Sequence, residues 1–71
     1  VAESVYKVIE LVGTSSESWE RAAAAAIERA SKSLRGLRIA EVSEMDVQIE
    51  EGGVMAYRTK LKVSFKYEGG E

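Results

Sequence analysis

Cysteine, histidine and proline are all absent from this 71-residue chain. Without cysteine there are no disulfides and no thiolate chemistry. Without histidine there is no imidazole metal ligand, no histidine general base and no histidine-containing triad. A dominant charge is missing too. Ten Lys and Arg stand against twelve Asp and Glu, a net charge of −2, which argues against a nucleic-acid binder that works by bulk charge. No apolar run approaches the ~20 residues of a membrane span, and no charged start leads into an apolar stretch with a cleavage site. The expected setting is the cytoplasm, with neither nucleic acid nor membrane as partner.

These absences narrow how the chain can be stable. Its length suits a single domain over residues 1–71, and chains this short bury a modest fraction of their surface. The common remedies are disulfides, metals or oligomerisation. Composition removes the first, so oligomerisation leads. A hard cation, Ca²⁺ or Mg²⁺, held by carboxylates and carbonyls stays open.

What the chain does have is one long alternation. Met55, Tyr57, Thr59, Leu61, Val63, Phe65 and Tyr67 fall on one side, and Ala56, Arg58, Lys60, Lys62, Ser64 and Lys66 on the other. Side chains alternate across a strand, so residues 55–67 predict one half-buried β-strand. At 3.3 Å per residue it would run about 40 Å, roughly twice the usual length. So short a chain has little to cover such a face, which points to other copies of itself.

Glycines 13, 36, 52, 53, 69 and 70 divide the rest. Residues 5–12, apolar on both faces apart from Lys7 and Glu10, suit a central or doubly covered strand. Residues 16–35 predict a helix capped by Ser16, with Glu17 and Glu20 in its first turn and Lys32 and Arg35 near its end. Gly36 suits the left-handed C′ position. Trp19, Ala23, Ala26, Ala30 and Leu34 form its apolar face, beside Ala22 and Ile27. That helix would span about 30 Å, too short to cover the last strand. Residues 38–50 form the remaining strand. Its apolar positions change register between Val42 and Met45, which predicts a bulge near Ser43 or Glu44. Glu51-Gly52-Gly53 makes a hairpin turn. The expected fold is α+β, ordered β-α-β-β, with a three-stranded antiparallel sheet wrapped partly around one helix. Residues 1–4 and 68–71 are expected to be flexible tails.

Chemistry-bearing patterns are few. Arg58, Lys60, Lys62 and Lys66 make a basic stripe, read either as an anion site for a phosphate-bearing ligand or as cross-strand partners of Glu41, Glu44, Asp46 and Glu50. Trp19, on the first turn of the helix, reads as packing or a subunit contact. Gly13-Thr14-Ser15 lacks the Gly-rich length and Lys of a P-loop and reads as turn and cap. No paired acid and base and no activated nucleophile is recognisable, so an enzyme is not expected.

Val5-Tyr6-Lys7-Val8-Ile9-Glu10-Leu11-Val12-Gly13-Thr14-Ser15 resembles the opening strand and turn of the dodecins. So do Ala40-Glu41-Val42, Tyr57-Arg58-Thr59-Lys60 and Val63-Ser64-Phe65. The resemblance runs from Val5 to Tyr67 without an obvious gap. It implies a hollow homododecamer of cubic symmetry, and a storage or sequestering protein, not a redox enzyme. In flavin-binding dodecins a Trp of the second strand stacks on the isoalloxazine ring and a Gln of the third strand hydrogen-bonds it, near a two-fold axis. Here those positions are Ile39 and Arg58. Ile39 offers no π face, and Arg58 has donors only, where Gln both donates and accepts. The resemblance thus carries the fold and assembly further than it carries flavin as cofactor. A small anionic ligand at Arg58 is the other candidate. Symmetry also revives the cation reading, because one carboxylate near a three-fold axis becomes three. Glu17 and Glu44 are the candidate ligands.

Overall fold

The computed structural model describes residues 3–66. Strand β1 spans Tyr6–Ser15, helix α1 Trp19–Ser31, strand β2 Leu37–Glu50 and strand β3 Gly53–Lys66. All pairing is antiparallel, in the order β1-β3-β2. This is the expected α+β fold. The tail residues 1–2 and 68–71, and Tyr67 at the end of the alternation, lie outside the described residues, while residues 3 and 4 precede β1 and are exposed.

The alternation in β3 sets the core. Thr59, Leu61 and Val63 point at the helix and are nearly fully buried, and Ala22 and Ala30 meet them from α1. Burying a Leu or Val side chain contributes about 1.5–3 kcal/mol, so this small cluster anchors the fold. The helix lies chiefly over β1 and β3. It can lie close because its inner face is largely Ala and because Gly13 stands where a side chain would strike it. A Cβ on Gly13 would overlap the carbonyl oxygen of Ala22 and approach the Cβ of Ala26 to 3.1 Å.

Trp19 ties the start of the helix to the sheet. Its indole Nε1 donates to the Asp46 carbonyl at 3.0 Å, its own carbonyl accepts from Thr59 Oγ1 at 3.0 Å, and its ring meets Tyr57 edge-on at 5.0 Å. The packing reading of Trp19 is the one the fold uses.

Several expectations change. The helix is 13 residues long and capped by Ser18, whose hydroxyl accepts from Arg21 N–H at 3.0 Å, not by Ser16. Strand β1 continues to Ser15, opposite Tyr57, and so consumes part of the expected cap. Gly36 does have positive φ, but the helix has already ended at Ser31, so the glycine serves the turn into β2. The hairpin turn places positive φ at Glu51 and Gly52, not at Gly53. Strand β1 is an edge strand, not a central one, because β3 takes the middle. The bulge near Ser43 is present, as a register shift between Val42 and Glu44, and Ser43 Oγ donates to the Lys60 carbonyl at 3.2 Å.

The result is long and thin, 53 × 21 × 16 Å, with a radius of gyration of 14.7 Å. A compact chain of this length would have about 11 Å. The β2–β3 hairpin accounts for the difference. Beyond Tyr57 it outruns the helix, and Ile49, Val54 and Met55 at its end are exposed.

Candidate functional site

The face of the sheet turned away from the helix carries Ile39, Glu44 and Arg58, while Glu17 lies in the connection between β1 and α1. Across it, Thr14, Arg58 and Asp46 stand in one row, Val12, Lys60 and Glu44 in the next, then Glu10, Lys62 and Glu41, then Val8, Ser64 and Ile39. Strand β1 alternates polar and apolar groups here, β3 supplies three cations followed by Ser64, and β2 three acids followed by Ile39. Tyr6, Val8, Val12 and Ile39 are all exposed, Ile39 most at 67%. This explains why β1 is apolar on both faces. Ile9 and Leu11 pair opposite Val63 and Leu61 on the helix side, while Val8 and Val12 project outward.

The basic stripe is met by β2, as the cross-strand reading expected. Arg58 grips Asp46 through two parallel hydrogen bonds, Nε at 2.8 Å and the terminal nitrogen at 3.1 Å. Lys60 pairs with Glu44 at 3.2 Å. Two expected partners differ: Glu50 faces Gly53 at the turn, and Lys66 faces Tyr6. Lys62 lies between Glu10 and Glu41 in the register, yet the ion pairs among the described residues belong to Arg58, Lys60 and Arg21. The Arg58 hydrogen bonds hold the Asp46 carboxyl below its ordinary value; desolvation opposes them, and the charges of Arg58 and then Lys60 add smaller lowering effects. Asp46 in turn raises Arg58. Both groups are solvent-exposed, so the pair is a modest stabiliser.

Ile39 and Arg58 share this outward face but do not meet. Ile39 stands opposite Ser64, six residues from Arg58 along β3, or about 20 Å. Any pocket using both must draw them from different copies. Ile39 also borders a shallow cavity of about 170 Å³ with Ile27, Leu37 and Arg38. The candidate cation ligands are likewise apart from one another in partnership. Glu17 pairs with Arg21 at 3.1 Å and Glu44 with Lys60. Among the described residues no three acidic side chains converge on a point.

Two features escaped the sequence. The outward apolar patch was hidden because alternation in β1 was masked by apolar residues on both faces; the Val8/Val12 against Ile9/Leu11 spacing carried the signal. The choice of Asp46 as partner of Arg58 needed the bulge at Ser43 to be counted into the register.

Comparison with known proteins agrees with this architecture. The family model described as Dodecin matches residues 5–68. The chain is 52% identical over 63 residues to the calcium dodecin of Mycobacterium tuberculosis, covering 89% of each. It is 50% identical over 64 residues to the dodecin of Thermus thermophilus, covering 90% of this chain and 93% of that one. The dodecin structure from Streptomyces coelicolor superposes with a TM-score of 0.91 at 37% identity, covering 99% of this chain and all of the other. The crystal structure of the Mycobacterium tuberculosis protein, described as calcium-chelating with a novel calcium-binding site, gives 0.83 at 48% identity, covering 96% of this chain and 97% of that chain. A small β-α-β-β domain whose sheet half-wraps one helix is the class that fold and site define. This chain belongs to the dodecin family.

Proposed function

We propose that the chain assembles into a homododecamer that binds or stores a small molecule between copies, and that it is not an enzyme. The outward sheet face carries this reading. It presents Tyr6, Val8, Val12 and Ile39 to solvent beside a row of ion pairs, and exposed apolar groups in such number favour burial against other copies. Ile39 and Arg58, which the resemblance matches to the flavin contacts of the family, stand about 20 Å apart, which supports a ligand shared between copies.

Flavin is not the favoured ligand. Ile39 cannot stack, and Arg58 has two of its donors committed to Asp46. A small anion would have to displace Asp46 or use the remaining N–H groups of the guanidinium. Fluorescence-quenching titration tests this directly. Flavin should bind the unmodified protein weakly. The pair Ile39→Trp with Arg58→Gln should tighten it, since one aromatic stack contributes about 1 kcal/mol or more. Tight flavin binding by the unmodified protein would overturn the reading.

A cation is the second ligand class, supported by the calcium-binding description of a 52% identical relative. Three copies of Glu44 or Glu17 around a three-fold axis could supply the oxygen set that one chain lacks. Calorimetry with Ca²⁺ on the assembled protein, compared with Glu44→Gln and Glu17→Gln, decides it. Unchanged binding in both variants removes these two residues from the site.

A further inference from the structure

Two exposed parts of this chain complement each other and cannot meet within one molecule. The first is the arm formed by the far end of the β2–β3 hairpin. Ile49 and Val54 face each other there, with Met55 at a register shift, and all three are more than half exposed. Glu50 and Glu51 sit at its tip, making it an apolar finger with an acidic end.

The second part is a groove of about 380 Å³ between α1 and the free edge of β1. Ile9, Leu11, Ala26, Ala30 and Leu34 line it. Arg29 also lines it, in the last turn of the helix, and the exposed Lys32 follows as the C-cap. The groove is thus apolar with a basic rim.

We propose that the hairpin arm of one copy seats in the α1–β1 groove of a neighbouring copy, its apolar side chains filling the groove and Glu50 and Glu51 facing Arg29 and Lys32. This rests on the assembly reading above and adds which surfaces meet. Charge excludes one alternative and size the other, which also carries a cation, Arg38. The cavity beside Trp19 includes Glu20 and would repel the acidic tip. The cavity beside Ile39 is under half the size of the groove.

Length excludes the intramolecular alternative. Val54 and Leu61 lie on the same rigid strand, about 23 Å apart, and Leu61 is opposite the groove residue Leu11. An arm cannot fold back into its own groove. The contact is also heterologous, because arm and groove are different surfaces. Such contacts close into rings when the rotation permits and otherwise grow filaments. A three-membered ring would place one arm and one groove in each of three identical joints.

The lack of cysteine makes the test clean. Val54→Cys on the arm and Ser33→Cys in the groove are combined in one chain and oxidised gently at micromolar concentration. The double variant should give covalent multimers on non-reducing gels, each single variant far less. Arg29→Glu added to that pair should slow cross-linking about fivefold or more, and Glu51→Arg should restore it. A protein of full assembled size by sedimentation that does not cross-link overturns the arm contact and leaves the assembly standing. Single variants that cross-link as well as the double also overturn the contact. An unmodified chain that sediments as a monomer overturns both readings.

Discussion

Replacing Gly13 by Ala should be the most damaging one-methyl change in this protein. The φ of Gly13 is one that any residue adopts, so the cost is spatial. The added Cβ would overlap the carbonyl oxygen of Ala22, lie 2.9 Å from its carbonyl carbon and 3.1 Å from Ala26 Cβ. The first two atoms are helix backbone, in the first turn of α1, and Ala22 is 0% exposed. Nothing local can give way, so α1 must lift from β1 as a body. That opens the seam where Ala22 and Ala30 meet Leu61 and Val63. Overpacking typically costs 1–3 kcal/mol, occasionally more, and a backbone obstacle puts this case at about 3 or above. A 71-residue domain holds about 4–11 kcal/mol in total, so the loss is a large share. For domains of this size it lowers Tm by at least about 12 °C, read by thermal denaturation at fixed protein concentration. Shrinking the neighbour, as Gly13→Ala with Ala26→Gly, should not rescue it, because the obstacle is the Ala22 carbonyl. Gly52→Ala is the contrast: it has open space but a φ of +79°, so it should cost only about 1 kcal/mol. A Gly13→Ala protein melting within two or three degrees (roughly 0.5 kcal/mol) of the original would refute the close helix–strand approach.

Thr59→Val should cost about 1–2 kcal/mol in denaturant unfolding, because the buried hydroxyl that donates to the Trp19 carbonyl is lost at constant shape. Thr59→Ser should retain most of that hydrogen bond while losing one methyl; a nearly neutral Thr59→Val beside a costly Thr59→Ser would show that methyl packing dominates. The Asp46–Arg58 pair predicts a pH signature. A carboxyl held low by its partner stabilises above its unfolded value and loses that contribution as pH falls through the lower folded value. The deficit of Asp46→Asn should therefore be constant above about pH 5 and shrink below about pH 4, and salt should diminish it. A deficit that grows on acidification would contradict the pairing.

Much of the fold could be read from residue spacing, and the exceptions share a cause. The face of β3 was legible because six described positions alternate without interruption, and the acids of β2 fell opposite its cations once the bulge at Ser43 was placed. The helix face was legible too: Ala22, Ala30, Trp19 and Ile27 all turn inward to some degree. Its ends were not. Thr14, Ser15, Ser16 and Ser18 have similar capping chemistry, and the choice fell to Ser18 because β1 pairs with β3 as far as Ser15. Ser31 ends the helix although Leu34 fits the helical spacing; the Leu34 N–H still bonds the Ala30 carbonyl at 2.9 Å, which keeps that side chain over the groove. Local propensity does not know that Leu37 must arrive opposite Phe65. The candidate site was less legible for the same reason. Ile39 and Arg58 could be named, but their separation depends on register, and a shared pocket depends on copies that no single chain contains.

The central claim is that this elongated fold is completed by other copies of itself. Native mass spectrometry of the purified protein at micromolar concentration tests it most directly, since it reports stoichiometry and retained ligand together. The dominant species should lie near twelve times 7.8 kDa, carrying any bound small molecule or cation as added mass. A folded species at 7.8 kDa that persists across concentration, with the outward face of Tyr6, Val8, Val12 and Ile39 left in water, would contradict it.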